Sequence, residues 1–173
     1  EQVMRRDPSR VAPDEPVSRL VEWYANPGGR SRYTYVVDAD GRLLGVVTML
    51  ELLNAFVDAE LLEEAGRGAP SGDEALARIA CALEAGKDAP VSSLMRQDLP
   101  TVAPDAPLLA VRPLLRQRAV TALPVVDASG RLVGEVTRRV LVRLLDGLLR
   151  DPALAELRRD CTRLGAGREF FVG

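Results

Sequence analysis

Histidine does not occur in the 173 residues. Its absence removes Ser-His and Cys-His nucleophile pairs, histidine metal sites and the commonest general base near neutral pH. Cysteine is scarce. Cys81 and Cys161 stand alone in helical-looking stretches, without CxxC or metal-ligand spacing, and are expected to be buried or idle thiols in a reducing compartment. No apolar run approaches the roughly eighteen residues of a membrane helix, and no basic stretch precedes an apolar one near Glu1, so neither a span nor a signal peptide is expected. A cytoplasmic location is the expectation, including the cytoplasmic part of a membrane protein. Because the chain begins at Glu1 and not at an initiator methionine, it is expected to be a domain excised from something longer. Positive charge is not in excess: 23 Lys and Arg face 25 Asp and Glu, too even a balance for a phosphate-backbone binder, so nucleic acid is not expected as a partner. Cation-loop spacing is missing as well, and the adjacent carboxylates Asp14 and Glu15, or Asp38 and Asp40, are explained by a cap and a turn. The chain is therefore expected to be neither an enzyme nor a metal protein.

What is present is an apolar content of 47%, enough for a core, and an internal repeat. Met4-Arg5-Arg6-Asp7 recurs as Met95-Arg96-Gln97-Asp98, and Val11-Ala12-Pro13-Asp14-Glu15-Pro16 as Val102-Ala103-Pro104-Asp105-Ala106-Pro107. Val36 to Gly45 returns as Val125 to Gly134, each followed by Val-Thr at 47–48 and 136–137. Two copies of one unit are expected to bury their apolar faces against each other in a pseudo-two-fold body.

Within each copy, Asp14 and Asp105 are candidate N-caps, with Pro16 and Pro107 in the first helical turn. The helix of copy one presents Val17, Leu20, Val21 and Tyr24 and stops at Asn26-Pro27-Gly28-Gly29. That of copy two presents Leu108, Val111, Leu114 and Leu115, and Pro113 should kink or shorten it. Tyr33–Val37 and Leu43–Thr48 read as a hairpin with Gly41 at positive φ, and copy two repeats it. A second helix follows each threonine, with Leu50, Leu53, Phe56 and Val57 on one face, and Leu141, Leu144, Leu145 and Leu148 in the other copy. Between the copies, a Gly-rich link precedes a helix capped by Asp73, running through Leu76, Ile79, Ala80 and Leu83 to Gly86. Asp151-Pro152 opens a last helix through Leu154, Leu157 and Cys161, with Arg158, Arg159 and Arg163 on a solvated side. The expected segmentation is 1–57, a linker with inserted helix at 58–90, 91–150, and a C-terminal helix and tail at 151–173.

The order strand, helix, strand, strand, helix, the repeated Val-Val-Asp-Ala-x-Gly-Arg-Leu hairpin and the start Val91-Ser92-Ser93-Leu94-Met95-Arg96 resemble the CBS motif. The resemblance covers residues 1 to about 57 and about 91 to 150. It implies a mixed α/β fold in which two β-α-β-β-α motifs pack as a Bateman module, commonly a homodimer, attached to or serving a channel, transporter or effector domain. It also implies clefts between the motifs for adenosine-containing ligands such as AMP, ADP, ATP or S-adenosylmethionine, with no cofactor.

Family sites place a carboxylate in a Gly-x-x-Thr-x-x-Asp pattern on the ribose hydroxyls, as acceptor chemistry toward a diol requires. Copy one reads Gly45-Val46-Val47-Thr48-Met49-Leu50-Glu51, with Glu for Asp. Copy two reads Gly134-Glu135-Val136-Thr137-Arg138-Arg139-Val140, and valine cannot accept, so one ligand per module is expected. Thr101, by resemblance, contacts the nucleoside, and Ala122 and Pro124 line the adenine. Arg116, Arg118 and Arg138 suit phosphate oxygens. Against these stand simpler roles: a helix-start residue favoured by the dipole for Glu51, strand ends and caps for Thr48 and Thr137, and surface charge for the arginines.

Overall fold

A computed structural model describes residues 4–26, 33–57, 63–64, 67, 72–117 and 120–154. Copy one runs β1 (Arg10–Val11), α1 (Val17–Ala25), β2 (Tyr33–Val37), β3 (Leu43–Thr48) and α2 (Met49–Phe56). The inserted helix α3 (Gly72–Gly86) follows. Copy two has a 3-10 turn (Val91–Ser93), α4 (Leu108–Gln117), β4 (Ala122–Val126), β5 (Leu132–Thr137) and α5 (Arg138–Arg150), and a short 3-10 turn spans Pro152–Leu154. This is the mixed α/β architecture expected.

Both hairpins turn for the same local reason. Asp38 Oδ1 accepts from the Asp40 and Arg42 amides at 2.9 and 2.8 Å, Asp127 Oδ1 does the same for Ser129 and Arg131, and Gly41 and Gly130 supply φ of 80° and 81°. The strands pair antiparallel, Tyr35 opposite Val46 and Pro124 opposite Glu135. One difference between the sheets follows from a single residue. In copy one β1 joins β2 in parallel, helped by the Tyr35 amide donating to the Ser9 carbonyl at 2.9 Å. The matching residue in copy two is Pro124, which has no N–H, and the first strand shrinks to one bridge between Val102 and Val125.

The copies are joined by an exchange of their opening segments. Arg5 trades backbone hydrogen bonds with Glu135 on β5 at 2.8 and 2.9 Å, and Arg96 trades two of 2.9 Å with Val46 on β3. Each opener therefore lies on the other copy's sheet. The close approach explains two glycines: a Cβ at Gly45 would sit 2.7 Å from the Arg96 carbonyl oxygen, and one at Gly134 would sit 2.8 Å from that of Arg5. The hairpin turns also meet, the Leu43 amide donating to Gly130 and the Leu132 amide to Gly41. Each copy has an apolar cluster, one around Val17, Leu20, Val36 and Val47, the other around Val111, Leu115, Leu123 and Val136. A smaller third cluster, Tyr35, Val46 and Leu132, draws on both copies.

Several local expectations need correction. Asp14 and Asp105 do not cap: α1 begins at Val17 after Pro16, and α4 at Leu108 after Pro107. In α1 the work of a side-chain cap is done by tertiary backbone, because Val17 and Ser18 donate to the carbonyls of Ala89 and Lys87 at 2.9 Å. Pro113 does not shorten α4, which runs ten residues through it. The inserted helix starts at Gly72, so Asp73 lies inside its first turn. Of its expected apolar face, Ile79 and Leu83 are half-buried while Leu76 and Ala80 are exposed, and no residue of this helix is fully buried. Cys81 is a free, exposed thiol. In α2 the buried residue is Leu52, with Leu50 and Leu53 exposed, and in α5 Leu145 and Leu148 are exposed. The apolar stripe of each helix is wider than the strip that packs inward, so spacing alone did not single out which leucines are covered. Leu157, Arg158, Arg159, Cys161 and Arg163 lie outside the described residues.

Candidate functional site

Thr48 ends β3 and begins α2, so its own backbone is extended while the next residues are helical. Its hydroxyl oxygen accepts from the Leu50 amide at 3.2 Å, and Glu51 reaches back so that its Oε2 accepts from both the Thr48 amide, at 3.0 Å, and the Thr48 hydroxyl. This is a reciprocal capping box. Glu51 Oε1 accepts from Arg96 Nη1 at 3.3 Å, and the same guanidinium touches Asp98 Oδ1 through Nε and Nη2, both at 3.3 Å. Burial pushes the Glu51 carboxyl up, yet the bonds from Thr48 and Arg96 outweigh it and hold the group below its ordinary range. The carboxylate is thus ionised at neutral pH, with 16% of its side chain exposed.

Behind it, the Tyr24 hydroxyl lies 2.9 Å from both Thr34 Oγ1 and the Val47 carbonyl. Burial is the main reason its pKa is raised. At the junction of the copies, Glu135 is fully buried, accepting from Tyr35 Oη at 3.1 Å and from Arg5 Nη1 at 3.3 Å. Burial foremost, and then the Glu135 charge, push the Tyr35 phenol above the ordinary tyrosine range.

The expected site residues fall into separate groups. Thr48 and Glu51 come together as described. Thr137 accepts from the Val140 amide at 3.2 Å and so caps α5. Arg138 donates to the Leu115 carbonyl at 3.2 Å, near the end of α4. Ala122 and Thr137 are register partners, Ala122 and Pro124 are buried, and Thr101 is exposed ahead of Val102. Arg116 sits on α4, while Arg118 lies outside the described residues. Sequence reasoning passed over Arg96, Asp98, Arg5, Tyr35 and Glu135. The repeated Met-Arg opening was the signal for the two arginines, but not for where each would land.

The CBS domain family model matches residues 1–58 and 91–147, the same two stretches whose openers cross. The chain belongs to the CBS domain family. A CBS domain-containing protein of Dictyostelium discoideum is 34% identical over 110 residues, 64% of this chain and 66% of that protein. The cytosolic domain of the Mg2+ channel MgtE, solved in complex with ATP, is 25% identical with a TM-score of 0.57 over 82% of this chain and 46% of that one. CBSX2 in complex with AMP gives a TM-score of 0.63 at 24% identity, covering 86% and 96%, a likeness of fold. The chain thus spans about two thirds of the slime-mould relative and under half of the channel domain. As a CBS pair it is a tandem repeat of motifs, and no helix among the described residues is long and apolar enough to cross a membrane.

Proposed function

We propose that this CBS pair is a non-catalytic regulatory module that binds one adenosine-containing ligand at the copy-one cleft and passes the effect to a partner domain such as a channel, transporter or effector. The observation that carries this reading is the ionised, partly exposed Glu51 carboxylate beside Thr48, at the sequence position where the family pattern has the acceptor for a ribose diol. Copy two has Val140 there, and Glu135 on its second hairpin strand is fully buried and held by Tyr35 and Arg5. ATP in the related channel domain supports a nucleotide as the ligand class. Thr101, Ala122 and Pro124 remain assigned to the nucleoside, Arg116, Arg118 and Arg138 to its phosphates, and Thr137 to the start of the copy-two helix.

The test is thermal denaturation with AMP, ADP, ATP, S-adenosylmethionine and adenosine. A ligand at a hundred times its Kd should add about 2.7 kcal/mol of stability, and Glu51→Ala should abolish the shift. A flat response across all five would sink the reading.

A second reading has its own observation. Met49, Leu50 and Leu53 on α2 and Val142, Leu145 and Leu149 on α5 are exposed, and these helices are equivalent in the two copies. A second copy of this chain, related by a two-fold axis, can cover both strips at once. On this reading the module is a homodimeric assembly unit whose Glu51 serves only its cap. Sedimentation would then show a dimer that Leu145→Glu dissociates, with no thermal response to nucleotides.

A further inference from the structure

Glu51 is already engaged from three directions: the Thr48 amide and hydroxyl on Oε2, and Arg96 Nη1 on Oε1. An ionised carboxylate offers about four acceptor positions, and a ribose diol brings two donors. Full acceptance of the diol therefore requires one donor to leave. The Thr48 amide is fixed by the turn into α2, and the Thr48 hydroxyl by the Leu50 amide that donates to it. Arg96 is the donor with somewhere to go. Its guanidinium already contacts Asp98 through two nitrogens and is 45% exposed, so release from Glu51 leaves it neither unpaired nor newly buried.

Resting on the assignment of Thr48 and Glu51 to the ribose, we infer that Arg96 is a displaceable gate on the copy-one cleft: it holds Glu51 when the cleft is vacant and retreats onto Asp98 when a diol arrives. The backbone of Arg96 stays bonded to Val46 on both sides, so the side chain moves while the crossed segment keeps its seat. Arg5, the equivalent residue in copy one, has no such freedom, because the carboxylate that holds it has no solvent-exposed surface.

The experiment is calorimetric titration of the full chain with adenosine and with AMP, in wild type, Arg96→Ala and Asp98→Asn. Removing the competitor should tighten adenosine by about two- to fivefold, the range of an exposed ion pair. Asp98→Asn should weaken it by a similar factor, since the retreat loses its partner. Adenosine affinity unchanged or weakened in Arg96→Ala overturns the gate and leaves the nucleotide reading standing. A loss confined to AMP overturns it in favour of direct phosphate contact by Arg96. Failure of both ligands to bind wild type and variants overturns the gate and the reading together, whereas binding that emerges only in Arg96→Ala supports the gate.

Discussion

The two copies share a fold and differ in where they keep their polar groups. Copy one buries Thr34 and half-buries Tyr24 where copy two buries Leu123 and Leu115. It has Val46 at mid-strand and Glu51 at the helix start, where copy two has Glu135 and Val140. The last exchange has a reason in the crossed openers. Each brings an arginine onto the opposite sheet, and each arginine meets one carboxylate there: Arg96 meets Glu51, Arg5 meets Glu135. The same electrostatic need is met at the rim in one copy and in the interior in the other. Of these two carboxylates, Glu51 keeps some of its side chain in solvent and Glu135 none. On the proposed function, a duplicated unit keeps its symmetry of backbone while one copy specialises in binding and the other in holding the pair together.

That contrast can be broken most easily at its two carboxylates. Glu135→Ala is expected to cost about 3 kcal/mol, because it strands the Tyr35 hydroxyl and leaves Arg5 without its partner. Glu51→Ala should cost only about 1 kcal/mol, the value of a cap. Urea unfolding measures both, and equal losses would erase the proposed division of roles. Gly45→Ala and Gly134→Ala should each cost about 1–3 kcal/mol by forcing the crossed backbones apart. These two ought to match closely, since the geometry is the same on both sides, and a large inequality in urea midpoint would show that one crossing matters more. Tyr24→Phe is expected to cost about 1 kcal/mol.

The smallest effect concerns pH. Burial opposes ionisation of Glu51, but the Thr48 and Arg96 bonds win, so its folded pKa lies below the ordinary 4.5. Its contribution to stability is present above that value and is lost as pH falls through the folded one. The stability gap between wild type and Glu51→Gln should accordingly narrow on acidification through this window. A gap that widened would mean the carboxylate is not held by these donors.

Much of the fold was legible because its determinants are local. The Asp-x-x-Gly turns, the hairpin strands and the repeat itself all reside in short stretches of text. Reading the inner faces of α2 and α5 failed because Leu50, Leu52 and Leu53 offer the same chemistry in different directions, and only the sheet beneath decides among them. The cap at Asp14 failed because carbonyls of Ala89 and Lys87, far along the chain, took over at α1. At the candidate site, Thr48 and Glu51 were legible as neighbours in one turn. Arg96 was not, since its link to Glu51 spans 45 residues and depends on which sheet receives the opener. Aligning the two copies and asking which positions trade charge, Val46 with Glu135 and Glu51 with Val140, would have pointed to it.

The crossed openers also bear on how the chain is made. Arg5 waits for a partner 130 residues later, and β3 waits for Arg96. Emerging from the ribosome, copy one can form its hairpin and helices but neither seat its own opener nor cover its own sheet until most of the chain has been synthesised. Neither motif should therefore mature alone; the first copy is held open as a template, and the second copy completes it.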